Sequence, residues 1–258
     1  MITKYIEKPA MTIIDTFLHL PIKNNVISCP YFNNKVTKAR AGLRVNLGKG
    51  SPEDIKQEIT IIAQKKHIDL DQLSRDDIKR FFVDNNIGID CSGLAYYILN
   101  AQAISQTEKP LRRFLSFPKT HNPLRKLIRR FRPIENTNVK VFADNTNSQT
   151  IALKNVRPGD IITMIGTGKN HDLDHILVIH EVEYDEDMPK KIYYTHSLKW
   201  FADGKHNHGV KQGSITITEP QQDITKQLWE ESGKKDKENE TLWRAKTANK
   251  IALRRLRI

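Results

Sequence analysis

Residues 88–94 (GIDCSGL) contain a cysteine, Cys91, at the point where an amphipathic helix is expected to begin. The apolar residues that follow have the i+3, i+4, i+7 and i+8 spacing of one helical face: Leu94, Ala95, Ile98 and Leu99. Asp90 then becomes the N-cap and Cys91 lies in the first turn, where unpaired N–H groups and the helix dipole favour a thiolate. The segment therefore predicts a cysteine nucleophile, with a buried structural cysteine as the alternative interpretation.

Attack by a thiol on an amide requires a base beside the sulfur, a group that orients this base, and N–H donors for the oxyanion. The chain has nine histidines, and two of them lie in the strand predicted over residues 175–182 (HILVIHEV). Since side chains alternate along a strand, His175 and His180 face opposite sides, so one of them alone can face Cys91. His175 directly follows a polar loop, so we expect it to reach the cleft and His180 to be a satisfied or exposed sheet residue.

The next predicted strand, at residues 191–198 (KIYYTHSL), carries His196. If the two strands form an antiparallel hairpin, directly opposed residues face the same side of the sheet. His175 and His196 then share a side when the residue numbers of each opposed pair add up to an odd number. An even-residue loop or a bulge produces this register. A residue opposite His175 could then hold one ring nitrogen and direct the other toward the thiol.

His171, in the loop before this strand, is kept as a substrate contact. The spacing of His171 and His175 (HxxxH) spans a loop and a strand rather than one helical face, and no Glu follows the first His as a zinc peptidase requires. We therefore expect no catalytic metal.

The elements around these residues predict an α+β fold. Helical patterns near residues 12–20, after Ser51 and after Ser74 precede the cysteine helix, and an insertion at 105–150, rich in proline and basic residues, follows it. Strands are predicted at 161–165, 175–182, 191–198 and 209–218, and a basic helical region at 219–258. We interpret residues 1–258 as one domain with its core at about 75–218.

The composition indicates a basic globular protein. The 258 residues carry a formal charge of +12, concentrated in two runs without acids, 111–133 and 244–258. An anionic polymer or membrane surface is therefore a candidate partner for Arg112–Arg132 and Arg244–Arg257, although solvated helix faces are the simpler interpretation. We expect no specific nucleic acid partner.

No run approaches the roughly 20 apolar residues of a transmembrane helix, and no signal peptide is visible. A cytoplasmic location is expected, with export by a non-standard route left open.

Taken in order, these segments resemble the NlpC family of papain-like cysteine peptidases. The resemblance covers roughly residues 75–218 and rests on four elements: Asp90-Cys91-Ser92-Gly93-Leu94, Pro158-Gly159-Asp160, the strand that begins at His175, and His196-Ser197 on the next strand. It implies a nucleophile helix packed on a small antiparallel sheet, here with N- and C-terminal helical extensions. It also implies Cys91 as nucleophile, His175 as base and then acid, and His196 as the orienting residue.

The family hydrolyses amide bonds in peptidoglycan stem peptides of the cell wall without a metal or cofactor. The resemblance thus implies a thiol protease acting on a peptide or muropeptide, with Asp90, Ser92 and His171 as oxyanion or substrate contacts. The Tyr- and Gly-containing segment that often precedes the nucleophile in this family is replaced here by residues 82–87. Two alternatives stay open, namely a catalytically silent basic adaptor that binds nucleic acid or an anionic surface, and a thiol acyltransferase on the same fold.

Overall fold

A large antiparallel sheet, with helices packed on it, organises the chain. A computed structural model describes residues 1–34, 43–117, 128–129, 131–235 and 238–258, and within them the fold is α+β. The helices are α1 (Lys8–Leu18), α2 (Pro52–Lys65), α3 (Arg75–Asp84), α4 (Cys91–Thr107), α5 (Pro133–Asn136), α6 (Val139–Phe142) and α7 (Glu240–Thr247). The strands are β1 (Ile2–Tyr5), β2 (Leu20–Ile22), β3 (Asn25–Ile27), β4 (Ser148–Thr150), β5 (Ile161–Thr167), β6 (Leu173–Asp185), β7 (Met188–Leu198), β8 (Gly209–Thr216), β9 (Leu228–Glu231), β10 (Lys234–Lys235) and β11 (Lys250–Leu256).

Side-chain caps begin the helices that lead to the cysteine, where the sequence predicts them. Ser51 and Asp54 form a reciprocal capping box at α2, with Pro52 as the first helical residue. Ser74 caps α3, and Asp90 caps α4 by accepting the N–H of Gly93 at 2.6 Å. The start of α4 is therefore defined by local chemistry.

Nine described strands form one sheet, in the order β10-β9-β8-β7-β6-β5-β11-β4, and β1 pairs with β6 beyond the end of β5. Strands β5 to β8 correspond to the four predicted strands, so the antiparallel arrangement is confirmed, but the sheet is larger than the small one expected. A two-residue turn, Glu186-Asp187, joins β6 and β7. In the first two pairs of β6 and β7, Val178 lies opposite Thr195 and Ile179 lies opposite Tyr194. The residue numbers of each pair add up to an odd number, which is the register that turns His175 and His196 to the same face.

The two faces of the sheet belong to different hydrophobic clusters. Ile176 and Val178 point into a cluster shared with α1 to α4, whereas Leu177 and Ile179 point into a second cluster that includes Leu242 of α7. Helix α4 packs against β6 and β7, as expected of a nucleophile helix. Because Cys91 belongs to the first cluster and His175 shares a face with Leu177, the candidate site lies where the two clusters meet.

The predicted helical region at 219–258 is wrong, and with it the C-terminal helical extension. Apart from α7, its regular described elements are strands and one short 3₁₀ turn, and β11 lies inside the sheet between β5 and β4. The four-residue spacing of Ala252 and Leu256 fits a helix, but pairing with β5 and β4 satisfies the backbone of β11 as a strand. Long-range pairing therefore outweighs the local pattern.

This change also alters the role of the second basic run. Arg254 is 1% exposed and donates to Ser148, Thr150 and Asn145, while Arg255 forms a pair with Asp160 at 2.7 and 2.9 Å. These two arginines hold the sheet together and do not form a solvated basic face.

Residues 118–127 and 130 of the first run lie outside the described residues. No helix in the described part of the chain has the length and apolar character of a membrane span.

Candidate active site

The segment before α4 is held by backbone contacts on both sides. Ile89 N–H donates to the carbonyl of Pro30 at 2.9 Å, and Asp90 N–H donates to that of Gly48 at 2.9 Å. Ser197 on β7 donates its hydroxyl to the carbonyl of Ile89 at 2.8 Å. Cys91 is thereby fixed to the N-terminal region and to the strand that carries His196.

A buried lysine occupies the polar side of this helix start. Lys49, which is 5% exposed, donates from Nζ to Asp90 Oδ1 at 2.9 Å, to Ser92 Oγ at 2.5 Å and to the carbonyl of Thr137 at 3.1 Å. Asp90 and Ser92, expected as oxyanion or substrate contacts, line the cavity described below but already bind Lys49 and each other. Their observed contacts cap the helix and neutralise the buried ammonium group.

The Cys91 thiol is protonated at neutral pH. Burial, and to a smaller extent the charge of Asp90, raise the pKa of Cys91 to about 12, against the opposing effects of Lys49, a backbone hydrogen bond from Ile176, and Arg244. The helix N-terminus favours a thiolate, as the sequence indicates, but desolvation of a side chain only 6% exposed outweighs this effect. The contact with Ile176 also places the sulfur beside the residue that follows His175.

The two predicted histidines form a hydrogen-bonded chain that ends in a carboxylate. His175 Nε2 lies 2.8 Å from His196 Nδ1, and His196 Nε2 lies 3.0 Å from Glu231 Oε2. A carboxylate accepts, so His196 Nε2 carries a proton and its Nδ1 is the acceptor for Nε2–H of His175. In this tautomer Nδ1 of His175 is the basic nitrogen, and within the described residues it has no hydrogen-bond partner.

Glu231 is a residue of the candidate site that the sequence did not indicate. Its Oε2 also accepts from Tyr194 at 2.8 Å and from Thr241 at 2.9 Å. Burial alone would raise the pKa of Glu231, but the neighbouring His196 ring and the hydrogen bonds from His196, Tyr194 and Thr241 together lower it, so this carboxylate is ionised. Its sequence context, an alternating Trp229–Glu231 pair before a Ser-Gly turn, is a weak strand signal that the helical interpretation of 219–258 concealed.

Cys91 and His175 open onto one cavity of about 520 Å³. Burial above all, then the neighbouring His196 ring and the charge of Arg244, hold the pKa of His175 well below its ordinary value, so the free imidazole is neutral. The cavity wall comes from widely separated segments, including Tyr31, Thr137, Leu198 and Arg244. A neutral thiol beside a neutral imidazole, with a carboxylate two hydrogen bonds behind it, can transfer a proton during nucleophilic attack.

The other histidines of the region lie elsewhere. His171 is exposed and bonds through Nδ1 to the carbonyl of Gly166 at 3.0 Å, so the structure does not bring this predicted substrate contact to the cavity. His180 is buried on the opposite face, 3.0 Å from the hydroxyl of Thr195, in agreement with the satisfied sheet histidine expected there. Among the described residues, no group of three or more His, Cys, Asp and Glu side chains is arranged to hold a metal ion.

Comparison of the chain with protein-family models, with curated proteins and with solved structures finds no match. The arrangement of Cys91, His175, His196 and Glu231 therefore rests on its own geometry.

Proposed function

We propose that this protein is a cysteine-dependent amide hydrolase with a papain-like fold of the NlpC type. The observation that carries the proposal is the convergence on one cavity of a thiol at a helix N-terminus and a histidine that is hydrogen-bonded, through a second histidine, to a buried carboxylate. A buried carboxylate that determines a tautomer is a costly arrangement, typical of a site that moves protons. It goes beyond what packing of the sheet requires.

In the proposed reaction, Cys91 Sγ attacks the amide carbonyl carbon while its proton passes to Nδ1 of His175. The S–C bond forms, and the N–H of Cys91 donates to the oxyanion; among the described residues this N–H has no acceptor. His175 then gives the proton to the amine as the C–N bond breaks, which leaves a thioester. Water attacks the thioester with His175 again as base, and the carboxylic acid and the free thiol are released.

Glu231 stabilises the transient positive charge on His175 through His196 without taking up a proton itself. Its negative charge lies two hydrogen bonds from the reacting nitrogen in a buried environment, where electrostatic interactions are stronger than in water. The ring orientation of His175 is fixed by the same bonds.

The proposed substrate is a peptidoglycan stem peptide, as in the family that the four sequence elements resemble. Peptidases of this kind need a cleft that admits a peptide beside the thiol, and the cavity of about 520 Å³ onto which Cys91 opens has a volume in the range of ligand sites.

The test is incubation with defined muropeptides and small acyl amides, followed by mass spectrometry of the products and of the peptide that contains Cys91. The wild type should release product and form a thioester adduct on Cys91, and Cys91→Ala should do neither. Cys29→Ala is the matched control, since Cys29 is a second buried thiol away from the cavity. Hydrolysis that survives Cys91→Ala would refute the mechanism.

An acyltransferase would use the same thiol and histidines and differ in its acceptor. Adding a primary amine to the same incubation separates the two activities, since amide product in excess of free acid indicates transfer rather than hydrolysis.

A further inference from the structure

Arg244, on α7, is a buried cation. It is 8% exposed, and its guanidinium makes no hydrogen bond or ion pair with the described residues; its Nε is buried and unsatisfied. Its side chain lines the cavity that contains Cys91. Burial lowers the pKa of Arg244, against the opposing effects of Tyr31, Cys91 and Glu240. The burial of this charge is unfavourable, because a desolvated charge needs compensation.

The carboxylates in the cavity wall cannot provide that compensation. Each of the three already pairs with a different cation: Asp90 with Lys49, Glu135 with Arg44 and Arg132, and Asp174 with Lys140. Arg244 therefore faces the cavity without an ion pair to any of these three carboxylates. Glu240, which acts on Arg244 electrostatically, lies outside the cavity wall and accepts the backbone N–H groups of Phe201 and Ala202. Arg244 lines the same cavity as both Cys91 and His175.

We propose that Arg244 determines specificity by binding a carboxylate of the substrate next to the scissile amide. This inference rests on the proposed function, since it assigns the chemical class of the substrate as an anionic acyl peptide. The planar guanidinium fork matches a carboxylate with two parallel hydrogen bonds, and an incoming anion supplies the charge that the empty cavity lacks. The oxyanion has a separate donor in the N–H of Cys91, so Arg244 is available for a second anionic group.

A pair of thiol reagents tests this site without any turnover. Iodoacetate and iodoacetamide both alkylate a thiol. Iodoacetate carries a negatively charged carboxylate where iodoacetamide carries a neutral carboxamide. The rate of each is followed by mass spectrometry of the peptide that contains Cys91. The ratio of the two rates is the readout, because a change in the reactivity of the thiol affects both reagents and cancels.

Arg244→Gln should lower the iodoacetate-to-iodoacetamide ratio about tenfold relative to the wild type, as expected for loss of a close charge-assisted contact. Lys246→Gln is the matched control, since it removes the same charge from an exposed position on the same helix, and should change the ratio less than twofold. Arg244→Lys keeps the charge without the fork and should give an intermediate ratio. This variant also provides the comparison if Arg244→Gln fails to fold, as judged by circular dichroism.

Equal ratios in the Arg244 and Lys246 variants would overturn the inference, and so would a wild-type Cys91 that iodoacetate does not alkylate. The result is independent of the hydrolase proposal. If the ratio depends on Arg244 but the protein cleaves no amide, the anion site is supported and the hydrolase proposal is refuted. If the protein cleaves amides but the ratio does not depend on Arg244, the hydrolase proposal is supported and the anion site is refuted.

Discussion

His175 and His180 lie five residues apart on β6, are both buried, and have partners of different kinds. His175 leads through His196 to the carboxylate of Glu231, whereas His180 contacts the neutral hydroxyl of Thr195 and, at 3.5 Å, a nitrogen of Gln212. Burial lowers the pKa of His180 to about 4 and also lowers that of His175, so neither ring is charged at rest. The difference lies in what can stabilise a proton once it arrives.

A bulge in the hairpin separates the two surroundings. Ile179 pairs with Tyr194 and Glu181 pairs with Tyr193, so His180 is the extra residue of β6. The register before the bulge turns His175 toward the same face as His196. A buried histidine therefore becomes a candidate base through the charge at the end of its hydrogen-bonded chain rather than through burial.

The largest expected effect comes from removing the base. His175→Ala should lower kcat/KM for amide hydrolysis by at least about 10³-fold, because the neutral thiol then has no proton acceptor. His196→Ala should cost less, about 10²-fold, since water can replace part of an orienting contact. Steady-state kinetics on the cleaved muropeptide measure both, and equal losses would contradict the assigned order of roles.

The next largest loss of activity should come from removing the charge of Glu231, which His175 reaches through His196 and His180 lacks. Glu231→Gln keeps the size of the side chain and loses its charge, so kcat should fall about 10²-fold with little change in KM. Gln212→Glu places a carboxylate near His180 instead and should leave kcat unchanged. A Glu231→Gln enzyme with wild-type kcat would show that the carboxylate is structural.

The two buried cysteines offer a third comparison, through pH. With a pKa of about 12, Cys91 should react with iodoacetamide about tenfold faster for each unit between pH 7 and 10, because the thiolate fraction grows by that factor. Cys29 is fully buried, packs away from the cavity and should stay unmodified in the folded protein. A plateau in the Cys91 rate below pH 8 would indicate a resting ion pair with His175 and contradict the neutral pair.

His180→Gln should have the smallest effect on activity, with kcat within twofold of the wild type. The substitution should instead change how the free energy of unfolding depends on pH. The unfolded histidine binds a proton near pH 6.5 and the folded one near pH 4, so unfolding takes up a proton between these values. The free energy of unfolding therefore falls as the pH drops from 6.5 to 4, and His180 accounts for up to about 3 kcal/mol of this fall.

Urea unfolding at pH 7 and pH 4 measures this share. The His180→Gln variant should lose less stability between the two pH values than the wild type does. An unchanged pH dependence would mean that His180 titrates alike in both states.

Local signals predicted the parts of the site that short-range chemistry controls. The start of α4 follows from Asp90 and the apolar spacing behind it, and the shared face of His175 and His196 follows from hairpin parity. Glu231 could not be found in this way, since it meets His196 only through the pairing of β8 with β7 and of β9 with β8. Arg244 and Lys49 reach the cavity through tertiary packing, and no local pattern in their segments indicates it.

The error at 219–258 has the same origin. Ala248, Ala252 and Leu256 repeat every four residues, and a single sequence contains no information about whether β5 and β4 are available as partners. Where the partner strand lies about 100 residues away, as Thr150 does from Arg254, periodicity alone cannot distinguish helix from strand.

The position of β11 has a consequence for synthesis on the ribosome. Residues 250–256 complete the sheet between β5 and β4, so every nascent chain that has not yet reached them exposes β5, the neighbour of the histidine strand, as an open edge. An unpaired, apolar edge is a template for association with other chains, and contacts of such long sequence separation form slowly. Chaperone protection during translation is thus most needed in the interval between the emergence of β5 and the emergence of β11.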